Sequence, residues 1–424
     1  MAAGAAREWM GRAAWIAARA RFLVQSGGVP RVARQLVDRA AAMVLPPGPP
    51  PAVDRRPGPH VLVIDKYVPT PDRDTGSLRL SLMMRLLADA GAAVTFAPMV
   101  GGGEERHRAL LAGSGIEVLT HRGGRDAWLA SNGSQLRLAI LVRRPIARAA
   151  LPRVRKAAPS AKVAYETIDL ESVREARRAE VDGNRNAAAF AQRLRHEEVQ
   201  LVRDCDATIV TTPEEEAILR GAVPDALFAV VPAIHVMPEP PFPGVDARCG
   251  LLFVGNFRHG PNVDAVRYLA DVLLPRVRTA VGPVTLTVVG GNPPRWMEQL
   301  DDPDIEVTGW VPDLRPFYDR ARVAVVPLRF GAGMKGKVTE AMAHGVPVVT
   351  TAVGAEGVDA HRGDELMVAD GDEAMASALT TLLTDDDEWR RLATNGRAVV
   401  AERYSPAAVG PRLTGLLDAL GIAT

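Results

Sequence analysis

From His60 onward, short β-branched runs alternate with stretches whose apolar residues recur every three or four positions. HVLVID at 60–65 is apolar almost throughout, the pattern of a strand buried on both faces of a parallel sheet. The polar loop KYVPTPDRDTG follows, and SLRLSLMMRLLADAG then places Leu and Met at helical spacing ahead of a glycine stop. Further strands are expected at 93–97, 116–119, 136–142 and 162–166. One long charged helix is expected from about Glu171 to Arg203, then strands at 207–211 and 228–231. A second alternation opens with LLFVG at 251–255. It continues with a helix over 263–277, strands at 284–290 and 305–308, a helix over 314–321 and the strand VAVVPL at 323–328. A helix over 337–344, the strand PVVTT at 347–351 and helical patterns from about Asp372 onward complete it.

Such alternation is the signature of doubly wound parallel sheets. The expected fold class is α/β, with two Rossmann-like domains facing a cleft. The segment 231–250 holds five prolines and marks the boundary. The predicted organisation is an Arg/Ala-rich extension with a Pro-rich linker over 1–58 and a first domain over 59–231. A hinge over 232–249, a second domain over 250–405 and a C-terminal helix over 406–424 follow. Ligands of open α/β sheets bind beyond the carboxyl ends of the strands.

Composition narrows the function. A chain of 424 residues suits two α/β domains. Hydrophobic and charged contents of 47% and 24% fit a soluble globular protein, and a net charge of +1 gives no field to attract nucleic acid. Two cysteines, Cys205 and Cys249, argue against a disulfide framework or a Cys-based zinc site and fit the cytoplasm. No apolar run reaches spanning length, and Arg12, Arg19 and Arg21 interrupt any signal-peptide core. Residues 1–60 carry nine Arg against three acids, so a basic helix over 1–24 is a candidate for peripheral contact with an anionic membrane face.

The chemistry concentrates in VAVVPLRFGAGMKGKVTEAMAHGVPVVTT, 323–351. It reads strand, glycine-rich loop, helix, turn, strand. Gly331, Gly333 and Gly336 let backbone N–H groups approach a ligand, and the following helix N-terminus favours phosphate. Arg329, Lys335 and Lys337 add full charges. Only five lysines exist in the chain, and two of them stand here. Glu340, three residues past Lys337, can accept both hydroxyls of a ribose. The stretch also spells G-x-x-x-x-G-K from Gly331 to Lys337, but Val338 replaces the hydroxyl that a triphosphate loop uses for magnesium.

KGKVTEAMAHGVPVVTTAVGAEGV at 335–358 resembles the donor domain of retaining, family-four-like group 1 glycosyltransferases of the GT-B fold. LLFVGNFRHGPNVDAVRYL and VTGWVPDLRPFYDRARVAVVPL extend the likeness. In the first half, VLVIDKYVPTPDRDTGSLRLSLMMRLLADAGAAVTF and YETIDLESVREARR carry a weaker one, so that it covers about residues 60–405. The resemblance implies that Arg329, Lys335 and Lys337 bind a donor diphosphate and that Glu340 holds the ribose. Gly255, Asn256 and Arg258 would line the diphosphate pocket, backbone from Val311 to Leu314 would hold the base, and Gly333 lies in the glycine-rich loop. Gly76 would let the first strand–helix loop close over the phosphates.

Two departures stand out. The first member of the family's usual Glu pair falls on Ala332, and Arg258 is followed by His259 and Gly260 with no Lys. Lys335 and Lys337 are expected to supply the missing charge.

Asp169 and Glu171 are the candidates to orient or deprotonate an acceptor hydroxyl, with helix capping as their plainer role. Asp72-Arg-Asp74 fits the letters of a metal motif but reads as a solvated loop. No metal or cofactor is expected, since the cations already present can stabilise a leaving diphosphate. The function implied is transfer of a sugar from a nucleoside-diphosphate sugar to a glycan, lipid-linked or small-molecule acceptor, in bacterial polysaccharide, lipid-linked glycan or metabolite biosynthesis. A sugar-nucleotide epimerase on the same fold, or a non-catalytic nucleotide-sugar-binding protein, is the alternative.

Overall fold

The computed structural model describes residues 53–120, 124–183 and 185–423. The expected basic helix at 1–24, most of the Pro-rich linker and any membrane contact there lie outside the described residues.

The chain builds two sheets. The first contains β1 (His60–Asp65), β2 (Ala93–Pro98), β3 (Glu117–Val118), β4 (Leu136–Val142), β5 (Lys162–Glu166), β6 (Ala207–Val210) and β7 (Phe228–Val230), in the order β3-β2-β1-β4-β5-β6-β7. The second contains β8 (Cys249–Val254), β9 (Leu286–Val289), β10 (Ile305–Gly309), β11 (Ala321–Val326), β12 (Val348–Thr350) and β13 (Met367–Val368), in the order β10-β9-β8-β11-β12-β13. The described strand pairings are parallel. Both orders reverse direction once, as in Rossmann-like sheets. The α/β doubly wound fold class is therefore what the alternation predicts.

Compact packing groups residues 53–69, 87–166 and 420–423 in one unit, and 70–86 with 167–419 in another. In the first unit, Val61 to Ile64 are fully buried between helical layers, which is why HVLVID is apolar throughout. In the second, Leu251–Phe253, Leu286, Val288, Val323, Val325, Val348 and Val349 form the sheet core.

The structure departs from the sequence reading in several elements. The long helix expected over 171–203 is two helices, Glu171–Asp182 and Arg185–Asp204. Gly183 ends the first in the left-handed conformation (φ 63°), which a glycine adopts without steric penalty. The helix expected over 263–277 starts earlier, at Gly260–Tyr268, and passes through a π-turn at Leu269–Leu273 into Leu274–Val281. The helices Arg144–Ala157 and Pro213–Arg220 and the two-residue β13 were not expected, although Ile146, Ala147, Ala150, Leu151 and Val154 line the buried face of the first at helical spacing.

The Pro-rich segment 232–249 has no helix or strand over 232–244, turns through a 3-10 helix at Val245–Ala247, and is pinned to the glycine-rich loop and the helix that follows it. The Ala233 N–H donates to Met334 Sδ at 3.2 Å, and buried His235 bonds the Thr339 hydroxyl at 2.7 Å. The last helix, Pro406–Ala419, sends Arg412 to the Val230 carbonyl at 3.3 Å.

Candidate functional site

β8 and β11 are neighbours, yet the chain leaves β8 toward β9 and β10 before returning to β11. This is the switch point of the second sheet, where loops diverge and leave a crevice. The loop after β8 is Gly255–His259, and that after β11 runs from Pro327 to Lys335 and opens the helix Gly336–Ala343.

Lys337 crosses from the second loop to the first. Its Nζ donates to Asn262 Oδ1 at 2.6 Å and lies 4.5 Å from the centre of the Phe253 ring. A Cβ on Gly255 would sit 2.8 Å from that Nζ and 2.8 Å from the Asn262 amide, so only glycine leaves room. Desolvation pushes the Lys337 ammonium down to about 7; Glu340 opposes the shift and Lys335 adds to it. Glu340, one helical turn on, is pushed up to about 7 by burial, with the Tyr318 hydroxyl and Lys337 pulling it back. Burial thus works against the charged form of both groups.

Lys335, 7% exposed, donates to the Gly333 carbonyl at 2.6 Å and pairs with Glu356 at 3.1 Å. Burial lowers its pKa, and Glu356 opposes that. Arg177 grips both Glu356 oxygens at 2.7 and 2.9 Å and donates to the Gly331 carbonyl at 2.7 Å. Gly333 adopts φ 68°, and a Cβ there would meet Asp169 Cβ at 3.0 Å and the Ile168 carbonyl at 3.1 Å. Met334 N–H donates to Thr211 Oγ1 at 3.2 Å. At Gly336 an added Cβ would lie 2.1 Å from Thr75 Cγ2, beside Gly76 in the first turn of the helix Thr75–Asp89.

Asp169 is paired with Arg174, and Glu171 begins the helix Glu171–Asp182. The turn that carries them is strained. Ile168 has φ 63°, a conformation that a β-branched residue avoids. It is held there by Thr167 N–H on the Ile209 carbonyl at 3.0 Å and by Leu170 N–H on Glu215 Oε1 at 2.9 Å. Glu215 also accepts from Thr211 N–H and Oγ1 at 3.0 and 2.8 Å, and its burial pushes it up to about 7.

The remaining candidates are dispersed around this centre. Arg329 forms a bidentate pair with Asp264 on the helix Gly260–Tyr268 and lies 5.5 Å from the Tyr268 ring centre. Asn256 Oδ1 accepts from the backbone N–H of exposed Arg258 at 3.0 Å. Val311 and Leu314 are half-buried past β10, next to Trp310, whose indole donates to the Asp72 carbonyl at 3.0 Å. Asp74 accepts from Ser77 N–H and Oγ, both at 2.8 Å, and so acts as a helix cap. Val338 is wholly buried in the sheet core, a packing role where a triphosphate loop has its hydroxyl. His344 stacks on Tyr318 with ring centres 4.5 Å apart. Among the described residues no group of three or more His, Cys, Asp or Glu could hold a metal ion.

Sequence reasoning missed Asn262, Asp264, Arg177, Glu356 and Thr211. Each is an ordinary polar residue in a helix or loop, and its role comes from tertiary contact. Ile168 and Thr75 gave no signal at all.

Residues 248–385 match the family model for glycosyl transferases group 1. That stretch contains both switch-point loops, and the described residues have the GT-B fold of the solved structures that follow. Sucrose-phosphate synthase from Thermosynechococcus elongatus superposes with a TM-score of 0.64 at 19% identity, over 86% of this chain and 99% of that one. HepE from Anabaena, solved with UDP and glucose, gives 0.65 at 14% over 85% and 99%. The pneumococcal O-GlcNAc transferase GtfA, solved with UDP and GlcNAc, gives 0.61 at 10% over 86% and 99%. At these identities the likeness establishes the fold. An uncharacterized 44.6 kDa protein in the cps region of Klebsiella pneumoniae is 25% identical over 166 residues. That match takes in 37% of this chain and 43% of the relative.

Proposed function

We propose that the chain is a glycosyltransferase that moves a sugar from a nucleoside-diphosphate sugar to an acceptor hydroxyl. The observation that carries this reading is the meeting of Lys337, Glu340, Asn262 and Gly255 at the switch point of the group 1 domain. Two structural relatives, HepE and GtfA, were solved with UDP, which agrees with it.

Breaking the anomeric C–O bond moves an electron pair onto the leaving diphosphate while the sugar becomes oxocarbenium-like. Lys337, Lys335 and the N–H groups that open the helix Gly336–Ala343 would stabilise that charge in a desolvated setting. Arg329 would turn its fork from Asp264 to the phosphates, and Arg258 would approach from the loop after β8. Glu340 would accept the ribose hydroxyls. Asp169, held by Arg174 on a strained turn against Gly333, is the better placed of the two acids to orient the acceptor hydroxyl; Glu171 is the first residue of the following helix. Retention of anomeric configuration, transfer without a metal and a role in bacterial surface-glycan synthesis belong to the same proposal.

With a preferred sugar nucleotide and an acceptor glycan extract, nucleoside diphosphate is expected to accumulate only when acceptor is present. Isomerised donor without acceptor would instead support an epimerase. Binding with no turnover under any acceptor would support a binding protein, the reading that Ala332 favours.

A further inference from the structure

Resting on Lys337 as the diphosphate lysine, the geometry points to Asn262 as the positioning residue that sets its amine in place. Asn262 lies in the first turn of the helix Gly260–Tyr268 and is 5% exposed. A buried amide needs partners at both ends. Its Oδ1 accepts from Lys337 Nζ at 2.6 Å, and its Nδ2 donates to the Asn256 carbonyl at 2.8 Å. The neighbours dictate this orientation, because an ammonium only donates and a carbonyl only accepts.

A free lysine side chain carries about 2 kcal/mol of rotamer entropy. Here three contacts remove that freedom before any ligand binds: the amide, the Phe253 ring and the space left by Gly255. Preorganisation of this kind raises affinity without a new ligand contact. Asn262 is also suited by what it lacks. The titratable groups around Lys337 are Glu340 on its own helix, Lys335 in the preceding loop and His259, whose imidazole burial keeps neutral, at the start of the facing helix. A neutral amide holds the ammonium and leaves its charge for phosphate, whereas a carboxylate would cancel it. The same amide ties the loop after β8, through the Asn256 carbonyl, to the helix that follows the glycine-rich loop, through Lys337.

The test is calorimetric titration of the full chain with UDP, GDP, ADP and CDP, following the tightest of them. The variants are Asn262→Ala, Lys337→Ala, their double mutant and Asn262→Asp. Asn262→Ala is expected to weaken binding at least tenfold alone and less than twofold in the Lys337→Ala background. Asn262→Asp is expected to move the alkaline limit of binding upward by about one unit or more, because a carboxylate stabilises the ammonium. The inference is overturned if Asn262→Ala binds as wild type, or loses equally in both backgrounds. Should Asn262→Ala fail to fold, an unmoved alkaline limit in Asn262→Asp overturns it. Lys337→Ala binding as wild type would instead remove the diphosphate reading beneath it, a distinguishable result.

Discussion

Lys337 and Glu340 are drawn by burial toward the same value, about 7, from opposite sides. Each must be charged for its proposed task, so their titrations act on binding with opposite sign. A diphosphate favours the ammonium, so affinity falls as pH rises through the lowered lysine value. Ribose hydroxyls favour the carboxylate, so affinity falls as pH drops through the raised glutamate value. The affinity for a nucleoside-diphosphate sugar is expected to be bell-shaped with its maximum near pH 7. Glu340→Gln should lose the acid limb and keep the alkaline one, measured by titration from pH 5 to 9. Any titration of the ligand is common to both proteins and cancels in the comparison. An acid limb that survives in Glu340→Gln would assign it to another group.

At the scale of elements, the helix Gly336–Ala343 illustrates how local rules are overridden. Replacing a helical glycine with alanine ordinarily stabilises by about 1 kcal/mol. At Gly336 the added methyl would lie 2.1 Å from Thr75 Cγ2, so the neighbouring loop would have to shift. Gly336→Ala is therefore expected to lower the melting temperature, and adding Thr75→Ala should recover part of the loss. A rise in melting temperature for the single variant would show that this approach is not made in solution.

The same elements show what a sequence reveals. The strands β1, β4, β5 and β11 were legible because parallel strands buried on both faces are continuous apolar runs. The helix break at Gly183 was not, since one glycine among charged residues looks like any surface glycine. The glycine-rich loop and the helix start after it stand out in the sequence through Gly331, Gly333, Lys335 and Lys337, whose density is unusual in a chain with five lysines. Their supports were hidden. Asn262 and Glu356 lie 75 and 21 residues from the lysines they hold, and no local pattern encodes such contacts. The pairing of Arg329 with Asp264 was equally invisible, 65 residues apart in the chain.

For the molecule as a whole, two Rossmann-like sheets account for the fold, and the account of function depends on one ligand class. The most direct test is calorimetric titration of wild type and Lys337→Ala with a panel of nucleoside diphosphates and their sugars. One base is expected to bind preferentially to wild type. Loss of a charge-assisted contact of about 1.5–3 kcal/mol should weaken it roughly ten- to a hundredfold in Lys337→Ala. No binding by any nucleoside diphosphate, or equal binding by both proteins, would contradict the account.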